Sequence, residues 1–178
     1  MKNAIIISGN LAQDHEFIYP FYRLLEEDFS VEICMNEGKP GKGLLGTDLP
    51  PNKNHLVKSI DKLNINDYDL LIIPGGVKAM EKVRQNKSII NFISEFNKLN
   101  RTIGCICSGS QLLISAKIVK NRKVSGYHSM IDDLENAGAE YVDLPAVIDD
   151  NLVTTAHYKD MGPWMKAVLE VYARKSKN

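Results

Sequence analysis

The chain has 178 residues, 44% of them hydrophobic, with 22 Lys and Arg balanced by 22 Asp and Glu. That length suits one domain, residues 1–178, able to bury roughly two-thirds of its unfolded surface. Balanced charge without a basic run excludes the electrostatic footprint of a nucleic-acid binder, and no apolar stretch reaches the about 18 residues that span a membrane.

In chain order, Met1-Lys-Asn-Ala-Ile-Ile-Ile-Ser lacks the apolar core of a secretion signal, so a cytoplasmic protein is expected. Within it, Ala4 to Ser8 reads as a first strand, apolar at successive positions as a strand covered on both faces should be. An amphipathic helix over Glu16 to Glu27 and a strand over Val31 to Met35 follow. Residues Asn36 to Lys53 contain four glycines and three prolines and read as a surface hairpin or an oligomer contact. They are not a phosphate loop, because no Gly-Lys-Ser/Thr closes the pattern.

Next come a strand at Leu70 to Ile73 ending on Pro74-Gly75-Gly76, one helix over Met80 to Leu99, a strand over Ile103 to Cys107, and a helix over Gln111 to Val119. The tail reads as a strand at Ala146 to Ile148, a turn at Asp149-Asp150-Asn151, a strand at Leu152 to Thr155, and a helix from about Met161 to Lys175 with Pro163 in its first turn. Strands alternating with helices predict a parallel sheet flanked by helices, with its ligand crevice beyond the carboxyl ends of the strands. Ser8-Gly9-Asn10, Pro74-Gly75-Gly76 and Cys107-Ser108-Gly109 should converge there.

Cys107 stands where Thr102-Ile-Gly-Cys-Ile-Cys gives way to Ser108-Gly-Ser-Gln-Leu-Leu-Ile-Ser, a strand-to-helix turn. A thiol there projects from the sheet edge beside unpaired backbone N–H groups and the positive end of a helix. An ordinary thiol near pKa 8.5 is only a few per cent thiolate at neutral pH, and these surroundings are expected to shift it towards the nucleophilic form. Cys34 and Cys105 read as core residues, and an odd number of cysteines with two of them separated by one residue argues for reduced thiols. Cys-x-Cys with scattered histidines lacks metal-site spacing, so neither a metal nor another cofactor is implied.

Five segments together resemble the DJ-one/PfpI superfamily, closest to its PfpI intracellular-protease branch. They are Glu16-Phe-Ile-Tyr-Pro-Phe-Tyr-Arg-Leu-Leu-Glu-Glu, Asp69-Leu-Leu-Ile-Ile-Pro-Gly-Gly, Ala79-Met-Glu-Lys-Val-Arg, Ile106-Cys-Ser-Gly-Ser-Gln-Leu-Leu and Gly126-Tyr-His-Ser-Met-Ile-Asp-Asp-Leu-Glu-Asn-Ala-Gly. The resemblance implies a flavodoxin-like α/β sandwich, mostly parallel with helices on both faces, and a nucleophile elbow like that of class I glutamine amidotransferases. It implies that Cys107 is the nucleophile, that the Gly76 and Ser108 N–H groups form an oxyanion hole, and that Glu16 approaches the cysteine from the first helix. It also implies a homodimer or higher homo-oligomer.

The PfpI branch carries histidine after its cysteine, and here that position is Ser108. Glu81 matches the glutamate that the branch supplies from a neighbouring subunit, so a Cys-His-Glu triad would lack its base, which puts peptidase activity in doubt. Cys107-Ser-Gly-Ser is similar to the elbow of the isocyanide hydratase branch. Tyr127 and His128 border the family's cleft, and His157 lies in another segment near it, so either imidazole is a candidate for the missing base. The expected activity is hydrolysis, hydration or isomerisation of a small carbonyl compound through Cys107, of glyoxalase, deglycase or hydratase type. The alternatives are a redox-sensing or stress-protective protein that works by Cys107 oxidation, and a PfpI-like peptidase.

Overall fold

The computed structural model describes residues 2–52 and 54–176. The first strand, β1 (Lys2–Ser8), leads to α1 (Asp14–Glu26), β2 (Phe29–Met35), a small hairpin of β3 (Gly41–Lys42) and β4 (Asp48–Leu49), and β5 (Val57–Lys58). Then follow β6 (Leu70–Ile73), α2 (Val77–Val83), α3 (Lys87–Lys98), β7 (Thr102–Ile106), α4 (Ser110–Ser115), β8 (Lys123–Val124), α5 (Ile131–Asn136) and β9 (Glu140–Tyr141). Strands β10 (Val147–Asp149) and β11 (Leu152–Thr155) and helix α6 (Met161–Lys175) complete the order.

Seven strands make one sheet in the order β10-β11-β7-β6-β1-β2-β5. All its pairings are parallel except β10 with β11. Its centre is apolar on both faces: Ala4 to Ile7 and Leu70 to Ile73 are fully buried. Helices α1 and α6 pack on each other and on β2, β7 and β11, while α2, α3 and α4 form a second group. This is the expected flavodoxin-like arrangement, with the carboxyl ends of β1, β6 and β7 at one rim.

Several boundaries differ from the sequence reading. The helix predicted over Met80 to Leu99 is two helices, because the Asn86 side chain accepts from Ser88 N (3.1 Å) and Ile89 N (3.4 Å) and starts a new one. Helix α1 begins earlier than Glu16, since Gln13 caps it by accepting from His15 N at 2.6 Å and Glu16 N at 3.3 Å. The strand predicted to Cys107 ends at Ile106, and the following helix is only six residues long, led by a turn of 3-10 helix over Cys107–Gly109. The glycine-rich stretch does form a hairpin, β3–β4.

Trp164 on α6 is fully buried and donates its indole N–H to Val153 O at 3.0 Å, fixing the helix to β11. Gly104 in β7 makes room for it: a Cβ there would lie 2.9 Å from both Ile72 Cδ1 and Val168 Cγ2 and 3.2 Å from Trp164 Cζ2. Gly104→Ala should therefore overpack the core and lower unfolding free energy by about 1–3 kcal/mol, read from urea denaturation.

Candidate active site

Cys107 is the first residue past β7 and adopts φ 59°, a left-handed conformation rare outside glycine. Its carbonyl is held by Ser110 Oγ at 3.0 Å and Tyr127 N at 3.2 Å, and its sulfur lies 3.8 Å from Ser108 Oγ. The strained turn aims the thiol away from the sheet. Cys107 is 8% exposed, while Cys105, two residues back in β7, is enclosed and Cys34 is buried in β2.

Three segments meet at the sulfur. Gly75 N donates to Glu16 Oε2 at 2.8 Å, and a Cβ on Gly75 would fall 2.4 Å from that oxygen and 2.8 Å from Cys107 Cβ. Gly76 has φ 100°, and a Cβ there would strike Gln13 N at 2.5 Å and the Ala12 backbone at 2.8 Å. Only glycines allow β6, α1 and the elbow to approach this closely. Glu16 is 0% exposed; its Oε1 has no well-aligned hydrogen-bond donor, and the Cys107 thiol is the acidic group within its reach.

Burial pushes the Glu16 carboxyl up from 4.5 to about 7, against the opposing contacts of the Cys107 thiol and the Gly75 N–H. Burial, then the charge on Glu16, pushes the Cys107 thiol up to about 12, with the Ser108 N–H and hydroxyl pulling the other way. This corrects the expectation of a thiol biased towards thiolate. A 3-10 turn and a six-residue helix offer little dipole, and desolvation beside a carboxylate outweighs it. Below about pH 7 the pair holds two protons; above it one remains, with the balance on the side of thiol and carboxylate.

Cys107, Glu16, Gly76, Ser108 and Tyr127 all line one cavity of about 300 Å³. His157 lines it too, and its Nδ1 accepts from Lys159 N at 3.3 Å, so the neutral ring carries its hydrogen on Nε2. His128 does not line the cavity: it opens a 3-10 turn, is exposed, and has its ring centroid 5.9 Å from that of Tyr127. Glu81 likewise lies outside, on the exposed face of α2. Gln13, Leu44, Val77, Ser129 and Tyr158 also line the space. Of these, Val77, Ser129 and Tyr158 had a signal in their adjacency to Gly76, His128 and His157; Gln13 and Leu44 had none.

The model of the DJ-1/PfpI family matches residues 2–171. The chain belongs to that family. Deglycase PfpI of Pyrococcus furiosus is 33% identical over 167 residues, spanning 94% of this chain and 97% of its own. Putative cysteine protease YraA of Bacillus subtilis is 30% identical over 178 residues, spanning 99% of this chain and 96% of its own. Among solved structures, Schizosaccharomyces pombe DJ-1 superposes with a TM-score of 0.82 at 21% identity, over 99% of this chain and 97% of that one, a likeness of fold. This DJ-1/PfpI chain shares the overall architecture with them and carries Ser108 beside its elbow cysteine.

The Glu16 carboxyl has a measurable signature. Its folded pKa lies above its unfolded value, so the unfolded state gives up the proton first. Its stability contribution is therefore full below about pH 4.5 and is lost as pH rises to about 7, by roughly 3 kcal/mol. Urea unfolding of wild type and Glu16→Gln at pH 4.5 and 7.5 should show that difference opening in favour of the variant. An equal pH dependence in the two proteins would refute the buried, proton-holding carboxyl.

Proposed function

We propose that the protein is a cysteine-dependent hydrolase of deglycase type, in which Cys107 attacks the carbonyl carbon of a small aldehyde or of a glycated adduct. The observation that carries this reading is a buried carboxyl, poised near neutrality, beside a thiol in the same cavity. The names of relatives, a deglycase and a putative cysteine protease, are consistent with it.

In this reading Glu16 is the base that Ser108 cannot be. A carboxyl near pKa 7 is matched to proton transfer at neutral pH. With a 2-oxoaldehyde, the sulfur bonds to the aldehyde carbon as Glu16 takes the thiol proton, and the carbonyl pair moves onto oxygen. Gly76 and Ser108 N–H would receive that oxygen, and Glu16 would return the proton to give a hemithioacetal. Moving the hydrogen on the aldehyde carbon to the neighbouring carbon through an enediol leaves a thioester, and water then releases a 2-hydroxy acid and the thiol. The net change is addition of one water.

Thiol with carboxylate and thiolate with carboxylic acid contain the same number of protons, so the reactive state is one ionisation form wherever its proton sits. We place the protein in the cytoplasm as a homodimer or larger homo-oligomer, as the family resemblance implies. Oxidation and carbonyl attack both need the Cys107 thiolate, which burial disfavours, and Glu16 would have to take the proton in either case. The peptidase reading would need the exposed Glu81 to reach a neighbouring subunit's cysteine, and with Ser108 after Cys107 the triad would still lack its base.

With methylglyoxal as substrate, kcat/KM should rise with pH to a plateau above about 7, following loss of the first proton from the pair. Cys107→Ser should abolish turnover, and Glu16→Gln should lower kcat about 10²- to 10⁴-fold and remove the limb near pH 7. Turnover that survives in Cys107→Ser would sink the proposal.

A further inference from the structure

The cavity has a rim that the proposed chemistry does not require. Leu44, Val77, Tyr127 and Tyr158 stand around its mouth, 42%, 48%, 38% and 42% exposed, and among the described residues no lysine or arginine lines it. His15 stacks on Tyr158 at 5.3 Å between ring centroids, and His157 lies against the same ring at 4.1 Å, so the tyrosine is held in place. Apolar side chains gathered at one opening are unusual on a protein surface and mark a contact for an apolar group. A carboxylate or phosphate entering here would meet no lysine or arginine among the described residues.

Leu44 is held from beneath. Asp14, at the start of α1, is 2% exposed, and its carboxylate accepts Leu45 N at 2.8 Å and Thr47 N at 3.1 Å. A Cβ on Gly43 would lie 2.1 Å from Asp14 Oδ1, so this glycine exists to admit a carboxylate rather than to cradle a phosphate. Gly43 N donates to Thr47 O at 2.9 Å, Gly46 N to Gly43 O at 3.0 Å, and Leu44 N to Ala12 O at 2.9 Å. Ala12 is the residue against which Gly76 packs. The turn that carries Leu44 is therefore tied both to the first helix and to the segment beside the elbow.

We infer that Leu44 is a specificity-determining residue and Asp14 its positioning residue, and that the substrate is a neutral carbonyl compound with an apolar or aromatic group on the reacting carbon or on the carbon next to it. The carbonyl would lie at Cys107 while the appended group fills the space between Leu44, Val77, Tyr127 and Tyr158. Burial pushes the Asp14 carboxyl up, but the N–H groups of Leu45 and Thr47 outweigh it and hold the carboxyl below its usual range, so the turn stays anchored at neutral pH. The inference rests on the hydrolase reading for its reaction, though not for its binding geometry.

Two measurements separate the two. In a Cys107→Ser background, acetophenone should bind at least about tenfold more tightly than acetone, and adding Leu44→Ser should narrow that ratio about fivefold, as expected for loss of one apolar contact. In turnover, wild type should favour phenylglyoxal over methylglyoxal, and Leu44→Ser should reduce that preference by a similar factor through KM rather than kcat. Asp14→Asn keeps one acceptor oxygen for two N–H groups, so it should move the preference the same way. A binding ratio near one, or one indifferent to Leu44→Ser, would overturn the inference. So would a change of oligomeric state in Leu44→Ser, which would make the rim a contact between copies. Absence of turnover in wild type with the binding ratio intact would refute the reaction and support the rim.

Discussion

The hydrogen bond from Gly75 N to Glu16 Oε2 joins the end of a central strand to the first turn of a helix across 59 residues of sequence. Everything at the candidate site depends on that contact. It draws a carboxyl to 0% exposure, and because Gly75 has no side chain the same approach puts that carboxyl against Cys107. A buried carboxyl is costly to ionise, and the carboxyl and thiol together cannot both be charged cheaply, so their proton becomes common property. Any side chain larger than hydrogen at position 75 or 76 would push the segments apart and return both groups to ordinary chemistry.

The fold makes that contact possible through register and cover. Parallel pairing of β1, β6 and β7 brings three carboxyl ends to one rim, and helices covering both faces of the sheet leave its rims for polar groups. Gly104 and Trp164 set how closely α6 lies on β7 and β11 beneath the elbow. At the elbow, the left-handed Cys107 is held by hydrogen bonds from Ser110 and Tyr127 to its own carbonyl, so the strain is supported by the segments that also line the cavity.

How much of this could be read from the chain varied with the kind of signal. Leu70–Ile73, Leu152–Thr155 and Met161–Lys175 occupy their expected bounds, since unbroken apolar runs and a clear helical period report on burial locally. Two helices were read as one over Met80 to Leu99, because the apolar period continues across Gln85-Asn86 and only the Asn86 cap betrays the break. Two-residue strands such as β5, β8 and β9 have no local pattern, because each exists only through its partner. At the site, Cys107, Glu16, Gly76, Ser108 and Tyr127 line one cavity, His157 lines it and its rival His128 does not, and Glu81, matched to a glutamate that acts across subunits, is exposed on α2. Which of two neighbouring side chains faces a cavity depends on a turn's rotation, and composition does not encode that.

By itself, the sequence determined a parallel α/β sheet and a cysteine at a strand-to-helix turn, since both follow from apolar runs and from where they stop. It also excluded the PfpI-type histidine at position 108. The tertiary structure decided the protonation of the site. The helix behind Cys107 is too short, and the space around Glu16 too dry, for the thiolate that position alone suggested. It decided as well that Leu44, in a segment readable only as a glycine-rich hairpin, stands at the mouth of the cavity, because that placement comes from Asp14, thirty residues earlier, accepting the backbone N–H groups of its turn. Desolvation and long-range anchoring are properties of what surrounds a residue, and only the folded chain brings those surroundings together.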